Sequence, residues 1–199
     1  MGSYIVVTSG KGGTGKTTCT GALASALALL GHKTLCIDCD VGLRNLDLVL
    51  GLTEPPVWDF SDVLSGDVEP TQAALPHPEI EGLYFLPAPS GLRPEDIDQL
   101  EFLQLKDKFK SEFDYVLADS PAGLGQGFRL ASQGADMGLI VTTVDLPSLR
   151  DAQRTVQELD DIGICECRLV INRVSPRALR ISGLTLDDAI DLVGVRLIG

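Results

Sequence analysis

The sequence has no uninterrupted apolar run approaching the ~18–20 residues of a membrane span, so no transmembrane helix is expected. Its N-terminus lacks the basic start and apolar stretch of a secretory leader, and strand-like residues begin by Tyr4. Basic residues are scarce: 16 against 28 acidic ones leave a net charge of −12. That balance argues against nucleic acid as a partner, which would need a broad basic face, and leaves room only for a local patch. Cysteines number five, an odd count without a leader, which argues against a disulfide framework. No internal repeat or low-complexity linker interrupts the chain. These absences leave a soluble, cytoplasmic protein as the expectation. With 44% apolar residues, 199 positions suffice for one well-cored domain.

What is present is organised around GKGGTGKTT at residues 10–18. The segment Gly10, Lys11, Gly12, Gly13, Thr14, Gly15, Lys16, Thr17 satisfies the P-loop spacing G-x-x-x-x-G-K-T, and Thr18 follows it. Glycines let the backbone curl with its N–H groups inward, and the helix that follows offers free N–H groups and a positive dipole end to an anion. Lys16 then reaches the β- and γ-phosphates, and the Thr17 hydroxyl can ligate Mg²⁺. An incidental glycine-rich turn is the competing reading. The apolar run Tyr4-Ile5-Val6-Val7 before the loop and the helical pattern after it weigh against that. Lys11 is a second lysine that the ordinary motif does not require.

Residues 4–8 read as a buried parallel strand, and the spacing of Cys19, Leu23, Ala26, Leu27 and Leu30 predicts a helix over 16–30. A strand follows over 34–38, completing a βαβ unit with the loop at the carboxyl end of its first strand, where ligands bind in open α/β sheets. Gly42, Gly51 and Pro55-Pro56 mark loops. Short helices are predicted over 59–64 and 70–75, a strand over 83–86 and an amphipathic helix over 94–113. Further strands are expected over 114–119, 138–143, 168–172 and 195–198, with helices over 147–162 and 185–193. This alternation predicts an α/β fold of the P-loop NTPase type, a doubly wound, largely parallel sheet with helices on both faces. Residues 1–199 are expected to form one such domain. The last strand stops at Gly199, so a C-terminal part is expected to be missing.

Asp119 closes the apolar run DYVLAD, the place of a carboxylate that holds Mg²⁺ directly or through water. Asp38 and Asp40 sit at the end of the second strand. One carboxylate there can position metal-bound water and the other can orient an attacking water; the residues alone leave open which does which. Gly123, after Ser120-Pro121-Ala122, lies where a backbone N–H can sense a γ-phosphate. Cys36 and Cys39 form C-x-x-C, but residues three apart on a strand face opposite ways, so core packing is the expectation. Cys165 and Cys167 could share a strand face, yet two ligands do not complete a four-coordinate site. His32 and His77 read as surface residues.

Three passages resemble the MinD branch of the MinD/ParA family of deviant Walker ATPases: GKGGTGKTT at 10–18, DCDVGLRNLDLVLG at 38–51 and YVLADSPAGLGQG at 115–127. Weaker similarity continues through 142–155 and 169–173. The resemblance implies an ATPase that binds ATP or ADP with Mg²⁺ and forms a homodimer when ATP binds. Lys11 would then cross to the partner subunit's phosphates, and Lys16, Thr17 and Thr18 would bind phosphates and Mg²⁺. Asp40 would position the attacking water, Asp38 and Asp119 would serve the metal, and Asn172 would read adenine. It also implies placement of the cell-division site, through an inhibitor partner and an ATPase-activating partner. Reversible peripheral association with the inner membrane would use a C-terminal amphipathic helix, which nothing after Gly199 supplies here. Flagellar-number or ParA-type partitioning ATPases and metallocluster-maturation ATPases of the same superfamily are the alternative expectations.

Overall fold

Short β-branched runs, apolar on both faces, become the centre of a parallel sheet in the computed structural model, which describes residues 1–41 and 45–199. Gly42 and the 42–44 part of the 38–51 passage lie outside the described residues. The first half of the chain forms β1 Ser3–Thr8, α1 Lys16–Leu29, β2 Thr34–Asp38, α2 Leu46–Val49, α3 Phe60–Leu64, α4 Pro70–Ala73, β3 Leu75–Pro76 and β4 Leu83–Leu86. The second half forms α5 Gln99–Glu112, β5 Tyr115–Asp119, α6 Gln126–Ser132, β6 Met137–Thr143, α7 Leu146–Asp161, β7 Cys167–Asn172, α8 Pro176–Ser182, α9 Leu186–Val193 and β8 Arg196–Leu197.

The strands lie in the order β3-β4-β2-β5-β1-β6-β7-β8, all parallel except β3, which runs antiparallel to β4. Side chains alternate between two cores, as the two-residue period of a strand requires. Tyr4, Val6, Leu35, Ile37, Val116 and Ala118 point to the larger core, filled by α3, α4, α5, α6, α7 and α9. Ile5, Val7, Cys36 and Leu117 point to the smaller one, filled by α1 and α2. Cys36 and Cys39 thus enter different cores, as strand geometry anticipates.

The structure corrects several sequence expectations. The helix expected over 94–113 is two pieces, a 3₁₀ turn at Pro94–Asp96 and α5. Asp96 closes the first turn by accepting from the Arg93 N–H at 2.9 Å. Ile97 then turns extended into the core, and the Asp98 carboxylate starts α5 by accepting from the N–H groups of Leu100 and Glu101. The helices α2, α6 and α8 were not anticipated. His77 is not a bystander on the surface: its Nε2 donates to the Leu50 carbonyl at 2.8 Å, while Nδ1 accepts from the N–H groups of Glu79 and Ile80. Cys165 is exposed and precedes β7, whereas Cys167 opens that strand buried. Among the described residues no helix is long and apolar enough to cross a membrane.

Candidate active site

The site forms where β1, β2 and β5 end at their carboxyl edge. β1 stops at Thr8, and the loop from Ser9 to Gly15 leads directly into α1. Gly13 and Gly15 adopt left-handed φ values of 82° and 94°, which close the loop without strain only because they lack a Cβ. Gly10 is fixed for another reason: a Cβ there would lie 2.5 Å from the Asp151 carbonyl oxygen of α7. No side chain caps α1, so the loop presents a bare helix start.

Lys16 turns inward, is 8% exposed, and donates from Nζ to Asp119 Oδ1 at 2.8 Å. Thr20, one turn along α1, places its hydroxyl 3.0 Å from the same oxygen and 3.0 Å from the Lys16 carbonyl, so its single proton serves both. Sequence reading missed Thr20; its i+4 spacing from Lys16 was the available signal. Strand register sets Asp38 directly beside Asp119. Asp38 Oδ1 accepts from the Asp40 N–H at 2.9 Å, and Oδ2 accepts from the N–H groups of Asn45 and Leu46 at 3.2 Å each. Burial pushes the Asp38 carboxyl up to about 6; those backbone donors oppose the rise and the Asp119 charge adds to it. The half-buried Asp40 is also raised, by burial first, with Lys16 acting against it and Asp119 for it.

A cavity of about 330 Å³ gathers Gly12, Gly13, Thr14, Gly15, Lys16, Thr17 and Thr18 of the loop with Asp40, Asn45, Val49, Ala122 and Arg173. Asp38 and Asp119 lie outside this lining and are buried. Lys11 projects instead into a neighbouring cavity of about 470 Å³, with Nζ 3.8 Å from Asp145 Oδ1 and half its side chain exposed. The Gly123 N–H donates to the Ser9 carbonyl at 3.4 Å, tying the segment after β5 to the loop. Asn172 sits beneath the loop, its Nδ2 donating to the Thr14 carbonyl at 2.9 Å; a Cβ on Gly15 would meet that nitrogen at 2.2 Å. Arg173, which follows it and lines both cavities, has φ 57°, left-handed and unusual for a side chain of its size. Its N–H donates to Asn172 Oδ1 at 2.8 Å.

This donor set suits a phosphate ester with a hard cation. It combines one ammonium, hydroxyls and carboxylates, and the Thr14 hydroxyl is buried without a hydrogen-bond partner among the described residues. Mg²⁺ is usually held by one or two carboxylates together with substrate phosphates and water, not by a protein cage. The described residues contain no group of three or more His, Cys, Asp or Glu that could hold a metal ion.

A family model described as the CobQ/CobB/MinD/ParA nucleotide binding domain matches residues 5–198. Septum site-determining protein MinD of Thermotoga maritima is 43% identical over 191 residues, 94% of this chain and 70% of that protein. The chain belongs to the MinD branch of this family. MinD in a MinC:MinD cell division protein complex from Aquifex aeolicus superposes with a TM-score of 0.89 at 38% identity, over 99% of this chain and 80% of that one. MinD from Pyrococcus horikoshii, solved with Mg-ADP, gives a TM-score of 0.82 at 30% identity, over 99% of this chain and 79% of that one. In this MinD-branch chain the fold and the deviant loop occur together, as the resemblance implies.

Proposed function

We propose that the chain is a MinD-like switch that dimerises on binding ATP and hydrolyses it to ADP and phosphate, acting in placement of the cell-division site. The observation that carries this reading is the single cavity onto which Lys16, Thr17, Thr18 and Asp40 converge at the carboxyl end of the sheet. In this reading the loop residues 10–18 cradle the phosphates. Thr17, Asp38 and Asp119 would hold Mg²⁺, which would neutralise phosphate charge. Lys16 exchanges its carboxylate partner for phosphate oxygens, releasing Asp119. Asp40, half-buried and facing the cavity, orients the attacking water.

Lys11, exposed beside the loop, extends to the phosphates of a second subunit, and Gly123 reports the γ-phosphate through its contact with Ser9. Asn172 reads the adenine while fastening the loop through Thr14, and Arg173 lines the cavity beside it. Residues 1–199 act as one ATPase domain. The proposed partners are an inhibitor of division, an ATPase-activating protein and, for the whole protein, the inner-membrane surface. The MinC complex of the Aquifex relative supports the first of these.

Asp40→Ala tests the reading directly. In excess Mg·ATP the variant should accumulate as a dimer by light scattering while turnover falls about 100-fold. A variant that stays monomeric under those conditions overturns the ATP-gated dimer.

A further inference from the structure

Lys106 has no place in the site, yet it is 1% exposed in the middle of the larger core. Its Nζ donates to three carbonyls at the C-terminal end of α6: Leu130 at 2.9 Å, Ala131 at 3.0 Å and Gln133 at 2.5 Å. It also lies over the faces of Tyr4 and Phe102, with ring centroids at 4.7 Å and 5.1 Å. No carboxylate lies within ion-pair distance of it among the described residues. The carbonyls lie at the negative end of the helix dipole, and the amine can supply them with three N–H donors when protonated and two when neutral. The near end of the same helix is Gly125, which continues the Asp119–Gly123 segment bonded to the loop at Ser9. Gly127 holds that end down, leaving no room for a Cβ beside Pro121.

We propose that Lys106 is a positioning residue for this segment: it seats the far end of α6, and release of that helix end is coupled to proton uptake by the lysine. The proposal rests on the reading above only in assigning the 119–125 segment to the nucleotide cycle. Burial brings the amine down to about 7, with the Cys39 thiol acting the other way. The groups facing it stay neutral near that pH. Burial raises the Tyr4 phenol from β1 well above its ordinary value, and raises the Cys39 thiol after β2 to about 12. One turn along α5, Lys110 is matched by Asp136 at 2.7 Å. α6 itself offers the amine only carbonyls. Opening that hydrates the amine restores its affinity for a proton, so above pH 7 opening becomes harder by up to about tenfold per pH unit.

Hydrogen exchange measured by mass spectrometry on the full chain tests this. After correction for intrinsic rates, protection of a peptide spanning 126–133 should rise with pH between 7 and 9 in the wild type. In Lys106→Met it should be at least tenfold lower at pH 7 and flat with pH, while peptides from α1 hold their protection. A wild-type profile that is itself flat overturns the coupling. Should Lys106→Met fail to fold, ¹³Cε-lysine NMR of the wild type decides: one lysine titrating near 7 supports the proposal, and all lysines titrating together near 10 overturns it. ATPase assays on Lys106→Met separate the two readings. A severalfold lower kcat with KM within twofold supports positioning, and unchanged kcat overturns it. No turnover even in the wild type counts against the ATPase reading and leaves the exchange result standing.

Discussion

Lys16 and Lys106 are the two buried lysines among the described residues, 8% and 1% exposed, and they are held by different chemistry. Lys16 ends on a carboxylate, Asp119, in a pair further tied by Thr20. Lys106 ends on helix carbonyls and aromatic faces, with no counter-charge among the described residues. A charge-paired lysine can be handed to another anion without stranding a cation, because one anion replaces the other. A lysine solvated by carbonyls has no such exchange to make; it can only keep its proton or lose it. One is therefore suited to a ligand and the other to a proton.

Breaking the first member should have the largest effect. Lys16→Met leaves Asp119 buried with only the Thr20 hydroxyl, and unfolding in urea should show a loss of about 3 kcal/mol. ATP turnover should fall about 100-fold or more. Adding Asp119→Asn to that variant should recover most of the stability but none of the turnover. An unchanged urea midpoint in Lys16→Met would mean that the ion pair does not matter to the fold.

The second member should show its effect in pH dependence. The folded amine near 7 lies below the ordinary lysine value of 10.5, so between those values the unfolded chain binds more protons. Stability contributed by this group therefore rises with pH from about 7. Against Lys106→Met, the wild type should gain about 2 kcal/mol from pH 7 to pH 9. Parallel stability curves for the two proteins over that range would contradict the assignment.

The smallest expected effect sharpens the contrast. Thr20→Val removes a neutral donor from Asp119 and should cost about 1 kcal/mol. Combined with Lys16→Met it should be non-additive, since both side chains serve the same oxygen, whereas combined with Lys106→Met it should add simply. Double-mutant cycles in urea read both outcomes.

The strands were legible because β1, β2 and β5 are short apolar runs buried on both faces, and the loop because its glycines and lysine are fixed in spacing. The helix α6 was not legible. Gly125 and Gly127 bracket its start and argue locally for a turn, but Gly127 is there to admit Pro121. Lys106 was hidden for a related reason. On α5 it reads as one more charge of an amphipathic face, and its partners come from residues 130–133, far along the chain. The site's carboxylates were visible as strand ends. That Asp38 spends one oxygen on the Asp40 N–H and the other on backbone donors at the start of α2 depends on contacts no local pattern reveals.

The contact between Gly10 and Asp151 has a mechanical meaning. With no space even for a methyl group between the loop and the backbone of α7, the two surfaces bear on each other like a stop against a lever. A protein that grips the exposed side of α7 and tilts it would press on the loop directly. Such a partner would alter the site without reaching into it.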